Sequence, residues 1–239
     1  MRILLISDVH GNLDALTALQ EPHDEVWVLG DLVNYGPQPQ EVVRWVQEHA
    51  SNVVRGNHDH AIGFDANPRC SPRFREMAAA TSKFTSSVLD EKDKDFLRRL
   101  RLSRAAQVDG TRFYLCHAIP SDPLFGYCAA ESPRWEDEIR GIEADVILVG
   151  HTHVPAVRRV GGKMVINPGS LGQPKIGRPE ACYAVWEDGH VELKTCAYPF
   201  ESTMAKVQAM PIPQAVRDDL AAILRTGSVP DPRETWRAS

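Results

Sequence analysis

Five short apolar runs in this chain each stop on side chains that can donate an electron pair to a cation. Arg2-Ile3-Leu4-Leu5-Ile6 leads into Asp8 and His10, and Glu25 to Leu29 leads into Gly30-Asp31. Asn52 to Val54 leads into Asn57 and His58, Arg112 to Cys116 into His117, and Asp145 to Val149 into His151 and His153. Runs this short and rich in branched residues read as buried strands. One polar turn after a strand is ordinary, but five carrying carboxylate, amide and imidazole donors are hard to reconcile with solvated loops. Alternate residues of an extended chain face the same way, so Asp8 and His10 can aim together. Gly11 allows a tight turn, and Asn12 is placed to cap the helix that follows.

The segments between these strands decide the fold class. Leu13, Leu16 and Leu19 predict a helix over Asn12 to Gln20, and Val42, Val43 and Val46 predict another ending near His49. Strand, helix, strand, helix, strand implies a parallel sheet with crossover helices, whose ligands sit beyond the strands' carboxyl ends. Residues 60–100 read as a helical excursion over that edge, with helices over Arg73 to Val88 and Glu91 to Leu100 and Asp90 as a cap. The excursion has too few large apolar residues for a core of its own. Ser132-Pro133 has the order of a helix start. Gly161-Gly162 and Asp188-Gly189 mark hairpins, so the second half is expected to be mainly antiparallel. Gln214 to Leu224 reads as a surface helix and Thr226 to Ser239 as a loose tail. The expectation is one domain over 1–225 followed by that tail.

Net charge is -5 over 239 residues, with no long basic run. That argues against broad electrostatic binding to long duplex nucleic acid or to an anionic membrane. The five cysteines form no Cys-x-x-Cys pair, which argues against a disulfide framework or thiolate zinc site and for a reducing compartment. No stretch of about 18 apolar residues exists. A cytoplasmic location is expected, with homo-oligomerisation left open.

Oxygen and imidazole donors without thiolate suit manganese, iron, zinc or nickel. Eight donors exceed the needs of one ion, and two ions about 3.5–4 Å apart sharing a carboxylate are the economical solution.

The order of the motifs is itself informative. Asp8-x-His10, Gly30-Asp31, Gly56-Asn57-His58-Asp59, His117 and Gly150-His151-Thr152-His153 together resemble the calcineurin-like metallophosphoesterases. Asn167-Pro168-Gly169-Ser170 is similar to a late turn in small bacterial members of that family. The resemblance implies an α/β fold, an α/β/β/α sandwich of two mixed sheets flanked by helices, with a dinuclear site at one edge. It implies Asp8, His10, Asp31 and His153 on one ion and Asp31, Asn57, His117 and His151 on the other, with Asp31 bridging. Manganese is the favoured metal. The implied activity is metal-dependent hydrolysis of a small phosphoester or nucleotide, by in-line attack of metal-bound hydroxide.

His58 is then expected to assist the leaving group, with Asp59 orienting its ring. Tyr35 is expected at the mouth of the site, and Arg178 is a candidate to steer phosphate. Phe125 and Tyr127 are weighed between stacking on a base and burying their loop. A departure bears on substrate: where phosphoprotein phosphatases and their dinucleoside-polyphosphatase relatives carry a phosphate-clamping Arg after the second motif, this chain has Asn34-Tyr35. The expected activity is therefore a phosphodiesterase, with a phosphomonoesterase or nucleotide phosphatase as the alternative and a catalytically silent protein-binding scaffold as the rival from another class.

Overall fold

The structure is a computed structural model and describes residues 1–229. The expected strands and helices alternate first: β1 (Arg2–Ile6), α1 (Leu13–Thr17), β2 (Glu25–Val28), α2 (Pro39–His49), β3 (Ala50–Val53) and α3 (Asn57–Phe64). Helices α4 (Arg75–Val88) and α5 (Glu91–Arg99) complete the excursion, and Asp90 caps α5 by accepting from the Asp93 N–H at 2.9 Å. Then come β4 (Ser103–Val108), β5 (Thr111–Cys116), α6 (Trp135–Glu138), β6 (Val146–Leu148), β7 (Ala156–Val160), β8 (Lys163–Asn167), β9 (Glu180–Glu187) and β10 (His190–Ala197). Two helices close the described chain, α7 (Phe200–Gln208) and α8 (Gln214–Thr226).

The strands form two five-stranded sheets, ordered β10-β9-β1-β2-β3 and β4-β5-β6-β8-β7. The first is parallel through β1, β2 and β3 and antiparallel through β9 and β10, and the second has a parallel centre and antiparallel edges. The second half is thus more mixed than the hairpin signals imply, because β6 pairs in parallel with both β5 and β8. Alternation along the strands sorts their side chains into layers. Ile3, Leu5, Trp27 and Trp186 of the first sheet meet Phe113, Leu115, Leu148 and Ile166 of the second in a buried inter-sheet core. Phe113 stands edge-on to both tryptophans at 5.1 Å between ring centres. On the outer face of the first sheet, Leu4, Ile6, Val26 and Val28 pack on Leu16, Val42 and Val46 of the helices. Behind the second sheet, Ile147 and Val165 pack on Trp135 and Ile139.

Two further expectations change. The helix expected from Ser132 starts at Trp135 and is a single turn ending at Glu138. Helix α8 is not a surface element: Val216, Leu220, Ile223 and Leu224 pack with Val207, Met77 and Tyr35. The charged run Arg217-Asp218-Asp219 hides that apolar stripe in the sequence. The excursion shares cores with the body, since Leu97 and Leu100 lie in the helix layer of the first sheet. Of the expected tail, residues from 230 onward lie outside the described residues. No helix among the described residues is long and apolar enough to cross a membrane.

Edge strand β10 is tied to the sheet by a buried carboxylate. Glu21 accepts from Lys194 Nζ at 2.8 Å, the Arg2 guanidinium at 2.5 Å and the Tyr183 hydroxyl at 2.9 Å. The Lys194 hydrogen bond leads in holding its pKa down near 2. Because the folded value lies below the unfolded value of about 4.3, this stabilisation is present above that pH and is lost as pH falls toward 2. Glu21→Gln should lower the melting temperature at pH 7 by about 2–4 °C. The gap from the parent protein should close between about pH 4.3 and 2. A gap unchanged over that range in thermal melts would contradict the assignment.

Candidate metal centre

Strands β1, β2 and β3 of one sheet and β5 and β6 of the other deliver their carboxyl ends to one edge of the sandwich. The turns lock together through the backbone: Asp8 N–H donates to Gly30 O at 3.0 Å, His10 N–H to Asp31 O at 2.9 Å and Gly150 N–H to His117 O at 2.7 Å. Two glycines permit this approach. A β-carbon at Gly56 would fall on the Asp31 carboxylate, and one at Gly150 on the Ser7 hydroxyl. Asp8, His10, Asp31, Asn34, Tyr35, His151 and His153 all hold left-handed backbone, with φ between 47° and 68°. Asp, Asn and His tolerate that region better than most residues, and strain of this kind concentrates at functional sites.

The side chains gather into two groups. Asp8, His10 and His153 each offer a donor atom within 4.8 Å of the others, and so do Asp31, His117 and His151. Asp31 Oδ2 lies between the groups, 3.3 Å from His117 Nε2 and 3.8 Å from His10 Nε2. Asn57 donates from Nδ2 to Pro68 O at 2.8 Å, which leaves its Oδ1 turned to the second group, 3.1 Å from His117 Nε2.

The chemistry of these donors fits cations. His10, His117 and His153 each place Nδ1 against a backbone carbonyl: Val33 O at 3.0 Å, Leu29 O at 2.7 Å and Gln173 O at 2.8 Å. A carbonyl only accepts, so each Nδ1 carries a proton and each Nε2 turns inward, with a free lone pair where the ring is neutral. Two such nitrogens, on His10 and His153, face each other at 3.2 Å. Buried Asp8 Oδ1 has no hydrogen-bond partner. Burial holds His10 and His151 near 3, so both are neutral at physiological pH. Burial also opposes charge on His117, but the adjacent Asp31 outweighs it and lifts His117 to about 10. A divalent ion held here would take the place of that proton.

Asp59 requires a correction. Its carboxylate accepts from the N–H groups of Asp31 at 2.8 Å, Leu32 at 2.8 Å and Gly56 at 3.0 Å, not from His58. Neighbours in the first turn of a helix point about 100° apart, so adjacency in sequence does not bring their side chains together. Asp59 braces the backbone that carries Asp31. Burial and the charge of Asp31 push its pKa up to about 7. Two groups meet the His58 ring: Asn34, whose Nδ2 lies 2.8 Å from His58 Nδ1 and 2.9 Å from Ser82 Oγ, and Cys70, whose Sγ lies 3.4 Å from His58 Nε2. With Nδ2 donating, the imidazole proton sits on Nε2. Burial lowers the pKa of His58 to about 4.

Arg178 is corrected too. It is exposed, pairs with Glu180 at 2.9 Å and does not line the cavity above the donors. Tyr35 does line that cavity, its ring 4.7 Å from those of His10 and His58. Phe125 and Tyr127 line it as well, and Tyr127 stays 63% exposed, so it does not serve to bury its loop. Sequence reading passed over Arg69, Cys70, Gln173 and Lys175, which share the cavity. Lys175 follows closely on the Asn167-Pro168-Gly169-Ser170 turn, and that proximity was the available signal.

The model of the calcineurin-like phosphoesterase superfamily domain matches residues 1–188. The chain belongs to that superfamily. It is therefore a metal-dependent phosphoric ester hydrolase, and the sandwich described above is the fold of its relatives. A metallophosphoesterase from Sphaerobacter thermophilus is 31% identical, with a TM-score of 0.79 over 93% of this chain and 99% of that one. An uncharacterised protein of Methanocaldococcus jannaschii is 28% identical over 235 residues, 89% of this chain and 94% of that protein. The symmetrical bis(5'-nucleosyl)-tetraphosphatase of Methylobacillus flagellatus is 32% identical over 106 residues, which span 41% of this chain and 35% of that enzyme.

Proposed function

We propose that this superfamily member hydrolyses phosphorus centres that carry two substituents, as in a phosphodiester, rather than monoesters. The observation behind this reading is that two cavities meet at the candidate ligands. The larger, of about 360 Å³, is lined by Asp31, Asn57, His58, His151 and His153. A second, of about 110 Å³, is walled by Ile119, Trp135, Val149 and Val154, and shares Tyr127 and His151 with the first. A phosphoryl group over the donors would have room for a substituent on either side, whereas a monoester needs one. The inner phosphates of a bis(nucleosyl) tetraphosphate, the substrate in the name of one relative, are also doubly substituted.

In this reading Asp8, His10, Asp31 and His153 would hold one ion, and Asp31, Asn57, His117 and His151 the other, with manganese preferred. Two divalent ions would supply an activated water and withdraw charge from the phosphoryl oxygens. Asp31 and Asp8 offset the cationic charge. The neutral His58 ring would donate a hydrogen bond from Nε2–H to the leaving-group oxygen as charge develops on it, and Asn34 would hold the ring in that orientation. Free cysteines with no disulfide among the described residues support a reducing, cytoplasmic setting.

The test compares bis-p-nitrophenyl phosphate with p-nitrophenyl phosphate after chelation and after restoring Mn, Ni, Zn, Mg or Fe. Chelation should abolish turnover and Mn should restore it, with kcat/KM for the diester at least about tenfold above the monoester. Monoester-only turnover would reject the diester reading, and inactivity with every ion would favour a scaffold.

A further inference from the structure

Two cations in the larger cavity lack the counter-ions that cations usually have. Lys175 is half-buried, and its Nζ lies 5.1 Å from the centre of the Phe74 ring. The Arg69 guanidinium lies 4.4 Å from the centre of the Phe125 ring. Arg69 is exposed, and among the described residues neither side chain forms an ion pair or a hydrogen bond, whereas the half-buried Lys194 and Lys206 meet carboxylates. Arg69 is also held at φ 54°, a backbone conformation unusual for arginine. Gln173 lines the same cavity, 3% exposed, with neither amide atom partnered. A buried amide without partners costs free energy unless something else bonds it. Burial lowers the Lys175 pKa, with Asp8 and Asp31 among the charges opposing that shift.

An aromatic ring backs each cation without neutralising it. Each keeps its full charge for an anion, and Lys or Arg N–H groups bonded to phosphate oxygens make charge-assisted hydrogen bonds. Resting on the proposed hydrolysis of doubly substituted phosphorus, we propose that Lys175, Arg69 and Gln173 form a subsite for a further phosphate on one substituent. The substrate class is then a nucleoside or other organic polyphosphate ester, not a diester of two neutral alcohols. Lys175 and Arg69 neutralise the second phosphate, and the Gln173 amide donates to one of its oxygens. The site supplies from two loops the cationic grip that Asn34-Tyr35 does not provide. These are specificity residues: they contact the non-reacting phosphate and take no part in bond cleavage.

The test uses the full chain loaded with Mn, with ADP and AMP as competing ligands whose binding is measured by calorimetry. The parent protein should bind ADP at least about tenfold more tightly than AMP. In Lys175→Gln combined with Arg69→Gln that ratio should fall to within about twofold of one. Lys175→Arg and Arg69→Lys, which keep the charge, should retain most of the ratio and control for misfolding. Equal binding of ADP and AMP by the parent protein overturns the proposal, as does a ratio that survives in the double variant. The readout is binding, so it stays decisive if bis-p-nitrophenyl phosphate proves a poor substrate, the outcome that would instead count against the diester reading.

Discussion

Asp31→Asn is expected to reduce kcat/KM for bis-p-nitrophenyl phosphate on the order of a thousandfold, and to leave the purified protein with less than half its metal. The substitution preserves shape and one oxygen, so the loss isolates charge. Asp31 Oδ2 stands near the imidazoles of both donor groups, and Oδ1 accepts from the His58 N–H at 2.9 Å. A neutral amide there leaves two divalent ions with no shared anion to screen their repulsion, and it turns N–H bonds toward nitrogens that need a cation. Retention of both metals by elemental analysis, with activity within tenfold of the parent, would falsify the bridging role.

His58→Ala should separate metal binding from stabilisation of the leaving group. Its ring donates from Nε2 and is not counted among the ligands, so metal content should match the parent. Turnover of an ester with an alkyl or nucleoside leaving group should fall about 10²–10⁴-fold. With p-nitrophenolate, which departs readily without a proton, the loss should be nearer tenfold. A leaving-group plot of the rates reads this as a steeper slope in the variant. Asn34→Ala should steepen the slope less, because it acts through the ring. Asp59→Ala should lower metal content instead, since Asp59 braces the Asp31 backbone. If all three variants lost metal equally, His58 would be a ligand and its assignment as hydrogen-bond donor would fail.

The scaffold of the site was readable because its signals are local. An apolar run ending on Asp, Asn or His is a pattern within about ten residues, and hydrogen bonds between turns then follow from the sheet order. What escaped sequence reading depends on tertiary placement. Arg69 and Lys175 lie far apart in the chain, each in a Pro- or Gly-containing loop, and only folding brings them to one cavity. Asp59 was misread because neighbouring positions were equated with neighbouring side chains. Asn34 was noticed as a missing arginine rather than as a partner for His58, and nothing in the local sequence says that a left-handed turn swings it over that ring. Helix α8 was misplaced because its charged face dominates its composition, although its buried stripe has the same period as that of α2.

The donor set divides between the two halves of the sandwich: Asp8, His10, Asp31 and Asn57 belong to the first sheet's turns, and His117, His151 and His153 to the second's. Each proposed ion would draw on both. The spacing of such a pair would therefore depend on how the sheets seat on one another, and the contact of Phe113 with Trp27 and Trp186 is part of that seating. Trimming that aromatic wedge would let the layers slide, and coordination would change without any alteration at the ligands themselves.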